Sequence, residues 1–264
     1  MVLKVSDLSV CLKEKNTVLL KSLSFELDFG KSMILLGESG SGKTITCHAI
    51  LGLLSSAFCL KGSIIFENSG QYDLLKLEKR QLQSIYGSSI AFIPQNPMTA
   101  LNPSLRVGIQ MLETLRIHRR MKKQQASFIC RKALSEAGLD NPEHIMKSYP
   151  HTLSGGMLQR VLIAMVLMMK AKLVITDEPT SALDVIHRNA VLDEFSKLKK
   201  GGTALLMVTH DFYAARSLGG DLIILKEGEV VERGSVKEIL EAPKHNYTKE
   251  LIWAASYDRK KKDA

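Results

Sequence analysis

The sequence predicts an α/β fold built from a β-rich edge, a parallel α/β core and a helical insertion. Three observations carry this. Short, uniformly apolar runs such as "SMILLG", "KLVITDEP" and "TALLMVTHD" have the length of strands buried on both faces, and helical stretches lie between them. The N-terminal segments instead alternate apolar and polar residues, the pattern of an antiparallel sheet with one wet face. From Leu101 to Met169 the strand character disappears and helical periodicity dominates.

In chain order, "KVSDLSVCL" and "LLKSLSFELDFG" alternate, the second ending at Gly30, and "SMILLG" is a buried strand. Gly42 to Leu54 is helical, and "GSIIFENSG" is a strand that closes at a turn. Pro103, Gly138, Pro142 and Pro150 punctuate the helical insertion. "KLVITDEP" and "TALLMVTHD" flank a helix from Val185 to Lys199, and "DLIILKEGEVVERGS" is a hairpin turning at Glu227-Gly228. A final helix begins near Ser235. These elements are expected to form one domain over 1–264, with a helical subdomain at about 98–170 and a short helical tail at 235–264.

Composition narrows the class. Charged residues at 24% and hydrophobic ones at 45% are those of a globular protein with a sizeable core. Cys11, Cys47, Cys59 and Cys130 show no C-x-x-C spacing and are expected to be small buried hydrophobes in a reducing compartment. "MVLKVSDLSV" is too polar for a signal peptide, and the longest apolar run, "VLIAMVLMM" (Val161–Met169), is about half of what a bilayer needs. The chain is therefore expected to be cytoplasmic. The net charge of +9 draws on "RIHRRMKK" (Arg116–Lys123) and "DRKKKDA" (Asp258–Ala264), expected to be a solvated face and a frayed tail. Composition alone leaves an anionic membrane surface or nucleic acid open as contacts.

The chemistry concentrates in four places. "GESGSGKT", Gly37 to Thr44, matches the phosphate-binding pattern G-x-x-x-x-G-K-[ST] between a strand and a helix. Gly37, Gly40 and Gly42 let the amides of Glu38, Ser39, Ser41 and their neighbours converge on phosphate oxygens, and the helix start adds positive potential. Lys43 is expected to reach the β- and γ-phosphates and Thr44 to ligate Mg²⁺. "LVITDEP" ends an apolar strand in two acids: Asp177 is placed to hold Mg²⁺ through a water, and Glu178 to meet a hydrolytic water. An acidic pair can also cap a helix, but the upstream phosphate loop favours the catalytic reading. Thr209-His210 ends another strand, where His210 could contact the γ-phosphate and position Glu178 or the water. Gln95 follows "IAFIP", where its amide could meet the metal and the water.

"HTLSGGMLQR" raises a separate problem. Ser154, Gly155 and Gly156 open a helix running through Met169, so their free N–H groups form a second anion site. A self-contained active site needs only one. The economical solution is that this second site closes over a nucleotide held by another chain, giving a head-to-tail dimer with ATP at its interfaces.

These elements in this order resemble the nucleotide-binding subunit of an ATP-binding cassette (ABC) transporter, a P-loop NTPase, over nearly the whole chain. The resemblance implies that Gly37–Thr44 is the Walker A loop, Gln95 the Q-loop and Leu153–Met157 the signature motif. It makes Asp177 and Glu178 the Walker B pair, with Glu178 the catalytic base, Asp184 a D-loop residue and His210 the switch histidine. It departs in two places: "VCLKEKNTV" (Val10–Val18) lacks the aromatic that usually stacks on adenine near residue 14, and Met157 replaces the usual glutamine of the signature.

"IPQNPMTALNPSLRVGIQ", "YPHTLSGGMLQR" and "APKHNYTKELI" further resemble the peptide/nickel uptake subfamily, whose usual "HPYT" appears here as "HNYT". In that subfamily the segment Gln95–Leu105 faces the membrane subunits. The short C-terminal extension and Met157-Leu158 followed by Gln159-Arg160 look more like the nickel-import members than the peptide ones. The implied partners are a second ABC ATPase, a paralogue or a copy, with two permease subunits and an extracytoplasmic binding protein, at the cytoplasmic face of the membrane. The implied cofactors are ATP and Mg²⁺, and no nucleic acid is expected. The methionines at 157, 165, 168 and 169 are expected to pack their helix, since metal recognition would fall to the binding protein and channel. A nucleic-acid ABC ATPase would commonly carry tandem cassettes or a long coiled coil. A plain P-loop kinase would have no use for Ser154-Gly155-Gly156.

Overall fold

The computed structural model describes residues 1–264 apart from Ser69, Ala182, Asp184, Asp263 and Ala264 and the side chains of Val185, Ile186 and residues 256–262. Two sheets organise it. β1 (Leu3–Leu12), β2 (Thr17–Leu27), β4 (Phe58–Glu67) and β5 (Gln71–Asp73) form an antiparallel sheet in the order β2-β1-β4-β5. The second sheet contains β3 (Ser32–Leu36), β6 (Ile90–Ile93), β7 (Leu173–Asp177), β8 (Ala204–Thr209), β9 (Asp221–Lys226) and β10 (Glu229–Ser235). Its order is β10-β9-β3-β8-β7-β6, parallel except for the β9–β10 hairpin.

The period of two along β3 divides the core. Met33 and Leu35 join a cluster shared with the antiparallel sheet and α1 (Lys43–Ile50), while Ile34 and Leu36 join the cluster under the helical insertion. That insertion is α3 (Val107–His118), α4 (Lys123–Glu136), α5 (Pro142–Lys147) and α6 (Gly155–Met169). Asn141 and Ser154 accept backbone N–H groups at the starts of α5 and α6, caps that each contribute about 1 kcal/mol. α7 (Val185–Lys200) and α8 (Phe212–Leu218) flank β8, and α9 (Val236–Glu241) and α10 (Asn246–Lys262) follow the hairpin. Glu227 and Gly228 both have positive φ (48° and 80°), as a two-residue hairpin turn demands.

Several expectations need correction. The helix predicted from Gly42 to Leu54 spans only Lys43–Ile50, because Gly52 (φ 60°) turns the chain. β4 begins at Phe58, four residues before the predicted strand. Cys47 and Cys130 are buried, but Cys11 and Cys59 are only half-buried and face each other across β1 and β4, where the antiparallel sheet meets water. The run Arg116–Lys123 is not all solvated face: Arg119 Nη2 donates to the Met169 carbonyl at 2.8 Å and closes the end of α6. The four methionines of α6 pack into or against the core, with Cys130 Sγ and Met168 Sδ 3.8 Å apart. Among the described residues no helix is long and apolar enough to cross a membrane.

Candidate active site

Strand register gathers the candidate residues. Leu36 pairs with Thr209, Asp177 with Val208 and Ile93 with Thr176, so β3, β6, β7 and β8 end together. The segments that leave these ends are Gly37–Thr44, Gln95, Glu178 and His210, all at the carboxyl edge where open α/β sheets bind ligands.

The loop after β3 is held by its own lysine. Lys43 Nζ donates to the carbonyls of Gly37 (2.8 Å) and Glu38 (2.7 Å), curling the loop around the ammonium. Burial pushes the Lys43 pKa below its ordinary value, against the opposing pull of Glu178, Asp177 and Glu38. Gly42 at φ 102° needs a residue without Cβ, and at Gly40 (φ 82°) the space outside the loop is open. Glu38, Ser39 and Gly40 are exposed, so the shoulder of the loop is accessible.

At the end of β7, Asp177 lies buried with Thr44 Oγ1 donating to its Oδ1 at 3.3 Å. Burial pushes the Asp177 pKa up, and the Thr44 hydrogen bond works against that shift. Glu178 takes a left-handed backbone (φ 47°), a strained conformation for a residue with a Cβ, while its N–H still donates to the Val208 carbonyl at 2.9 Å. Both of its carboxylate oxygens are engaged: Oε1 lies 2.7 Å from His210 Nδ1, and Oε2 accepts the Thr209 hydroxyl at 3.3 Å. The hydrogen bond to Glu178 raises the His210 pKa, with burial opposing it. The Glu178 side chain is 11% exposed and that of His210 63%, so the imidazole is the accessible end of the pair.

The structure thus brings together Lys43, Thr44, Asp177, Glu178 and His210. Gln95 lies past the end of β6, exposed and with no hydrogen bond among the described residues. Ser154 and Gly155 are also exposed, at the start of α6, where Ser154 Oγ accepts the Met157 N–H at 3.3 Å. A Cβ on Gly155 would meet nothing within 4 Å, whereas one on Gly156 would lie 3.1 Å from the His187 ring. Asp184 lies outside the described residues. Three contributors were not legible as such: Thr209 on Glu178, and Gly228 and Tyr247 behind the phosphate loop. In the sequence Tyr247 lies in the "HNYT" string, which marks a subfamily resemblance and no contact.

Comparison with known proteins agrees with this geometry. The family model described as ABC transporter matches residues 20–181. The metal-staphylopine import system ATP-binding protein of Staphylococcus aureus (strain NCTC 8325 / PS 47) is 38% identical over 235 residues, covering 89% of this chain and 86% of that protein. The oligopeptide transport ATP-binding protein OppD of Bacillus subtilis (strain 168) is 37% identical over 255 residues, covering 95% of this chain and 70% of that protein. Among solved structures, the dimeric ATP-binding cassette MJ0796 in a post-hydrolysis state with ADP and Pi superposes with a TM-score of 0.78 at 27% identity, covering 89% of this chain and 98% of that one. A strand-edge phosphate loop, a buried acid pair and a matching family model together place the chain in the ABC transporter family, as one of its ATP-hydrolysing cassettes.

Proposed function

We propose that this chain powers import of nickel or a nickel/metal chelate by binding and hydrolysing ATP in a closed pair of cassettes. The observation that carries the catalytic part is the Glu178–His210 contact beside the Lys43 loop. The ATP phosphates lie in the amides of Gly37–Thr44, including those of Glu38, Ser39, Gly40, Ser41 and Gly42, and Lys43 turns toward their oxygens. Glu178 takes the proton of the attacking water as its oxygen bonds to the γ-phosphorus and the bridging bond to ADP breaks. His210 holds the carboxylate through Nδ1 and presents the rest of its ring to the γ-phosphate.

The residues fit Mg²⁺. Thr44 and Asp177 are hard oxygen donors already adjacent, and Asp177 is a desolvated carboxylate whose charge a cation would stabilise. Thr44, Asp177 and the Gln95 amide would hold the ion, which would neutralise charge on the β- and γ-phosphates.

The exposed Ser154 and Gly155, with the half-buried Gly156 beside them and Asp184 by resemblance, complete the site of a second cassette, a paralogue or a copy. The dimeric state of MJ0796 supports this pairing. Two permease subunits, entered through the surface around Gln95–Leu105, and an extracytoplasmic binding protein complete the transporter, with this chain at the cytoplasmic face of the membrane and no nucleic acid bound. One domain spans 1–264, with the helical subdomain at about 98–170 and a C-terminal helical tail at 235–264.

Metal chelates are favoured by the staphylopine-system relative, which this chain matches over most of its length. The second reading, a dipeptide or oligopeptide importer, is favoured by the OppD and DppD relatives. Uptake by cells carrying the complete transporter discriminates them. ATP-dependent accumulation of radioactive nickel, with and without a metallophore, supports the first reading; accumulation of a labelled dipeptide without nickel supports the second and removes the first.

A further inference from the structure

The phosphate loop is backed by the segment from β9 to α10. The tip of the β9–β10 hairpin reaches it first: the Gly228 N–H donates to the Ser41 carbonyl at 3.1 Å. The Leu225 carbonyl lies so close behind that a Cβ on Gly37 would sit 2.2 Å from it. Beyond α9 the chain returns, and the hydroxyl of Tyr247, in the first turn of α10, accepts the Glu38 N–H at 3.2 Å. Since the Glu38 carbonyl accepts Lys43 Nζ, both backbone polar groups of this one loop residue are tied down.

Tyr247 is itself firmly held. It is 5% exposed, and the Lys226 ammonium lies 4.8 Å from its ring centroid, joining tail to hairpin. Its N–H donates to His245 Nδ1 at 3.1 Å. One step earlier, the Glu232 carboxylate on β10 accepts the N–H groups of Lys244 (2.8 Å) and His245 (3.1 Å). A continuous set of contacts therefore runs from the edge of the core sheet, through the tail, to the exposed shoulder of the loop. Water could satisfy an exposed N–H at Glu38 equally well. What the tyrosine adds is restraint, fixing the loop in one shape before nucleotide arrives.

We propose that Tyr247 is a positioning residue for ATP binding, its hydroxyl anchoring the Glu38 end of the phosphate loop so that the amides beyond it converge. This rests on the reading of Gly37–Thr44 as the ATP site. Burial also raises the Tyr247 pKa above the ordinary phenol value.

The test is Tyr247→Phe in the full chain, which keeps the ring and its cation and removes one oxygen. ATP affinity is measured on the chain by calorimetry, and KM and kcat in the assembled transporter. The expected result is Kd and KM raised about three- to tenfold, the loss that one net hydrogen bond carries, with kcat retained. Hydrogen exchange of the Glu38 amide supplies a second readout: slow in the wild type and faster in the variant. Unchanged affinity in a folded variant overturns the proposal, as does a fall in kcat at constant KM. Should the variant not fold, free exchange of the Glu38 amide in the wild type overturns it, and protected exchange supports it. A wild-type chain that binds no ATP removes the underlying reading of the loop along with the proposal, an outcome distinct from the others.

Discussion

His210 Nδ1 lies 2.7 Å from Glu178 Oε1, a contact across the ends of two adjacent parallel strands. Thr209 donates to the other carboxylate oxygen, so the acid is oriented at both of its atoms. Its left-handed backbone is a strain the fold holds in place to aim that side chain.

Glu178→Gln keeps the shape and much of the hydrogen bonding but cannot accept a proton. ATP binding is expected to survive and the closed pair of cassettes to accumulate. Turnover should fall about a hundredfold or more, the usual share of a general base. ATPase activity of the full transporter measures the first effect and size-exclusion chromatography with ATP the second. Undiminished hydrolysis excludes Glu178 as the base.

The same contact predicts a pH dependence. Because Glu178 raises the His210 pKa above 6.5, the pair contributes stability that is fully present below 6.5 and lost as pH rises through the folded-state value. The melting-temperature gap between wild type and His210→Ala should be larger at about pH 6 than at about pH 8. Imidazole titration followed by NMR should place His210 above 6.5 in the nucleotide-free wild type and return it toward 6.5 in Glu178→Gln. A gap that widens with pH contradicts the pairing.

Lys43→Ala removes the internal clamp on the Gly37 and Glu38 carbonyls together with the charge proposed to meet the phosphates. Losing a charged hydrogen-bond donor costs about 1.5–3 kcal/mol, so ATP affinity should weaken about tenfold to a hundredfold. Calorimetric titration measures it, and an unchanged Kd rules the loop out as the phosphate site.

What the sequence showed and what it hid follow the range of the interactions. The phosphate loop and the acid pair were legible because each is one short string fixed by local geometry. The signature serine was legible because its N-cap needs only residues 154 to 157. β5 and β6 were not, since three- and four-residue strands carry too little pattern and exist by pairing with β4 and β7. α2 (Lys79–Ile85) and α8, at seven residues each, fall below the length at which helical periodicity declares itself. The Glu38–Tyr247 bond spans 209 residues, and no local rule reaches that far.

Gly155 separates the second anion site from the first. A Cβ there meets no atom within 4 Å, and the residue is exposed at the start of α6, so the isolated chain tolerates a side chain. In the closed pair proposed above, that space would take the partner's nucleotide. Gly155→Asp puts a carboxylate where phosphate oxygens would approach, and a negative charge at a helix N-terminus does not harm the helix itself. The melting temperature and ATP affinity of the isolated chain should therefore match the wild type, while ATP-driven pairing and turnover are lost. Melting, calorimetry and size-exclusion runs on one preparation check all three. Normal pairing and hydrolysis in this variant would show that Ser154 and its glycines face no nucleotide.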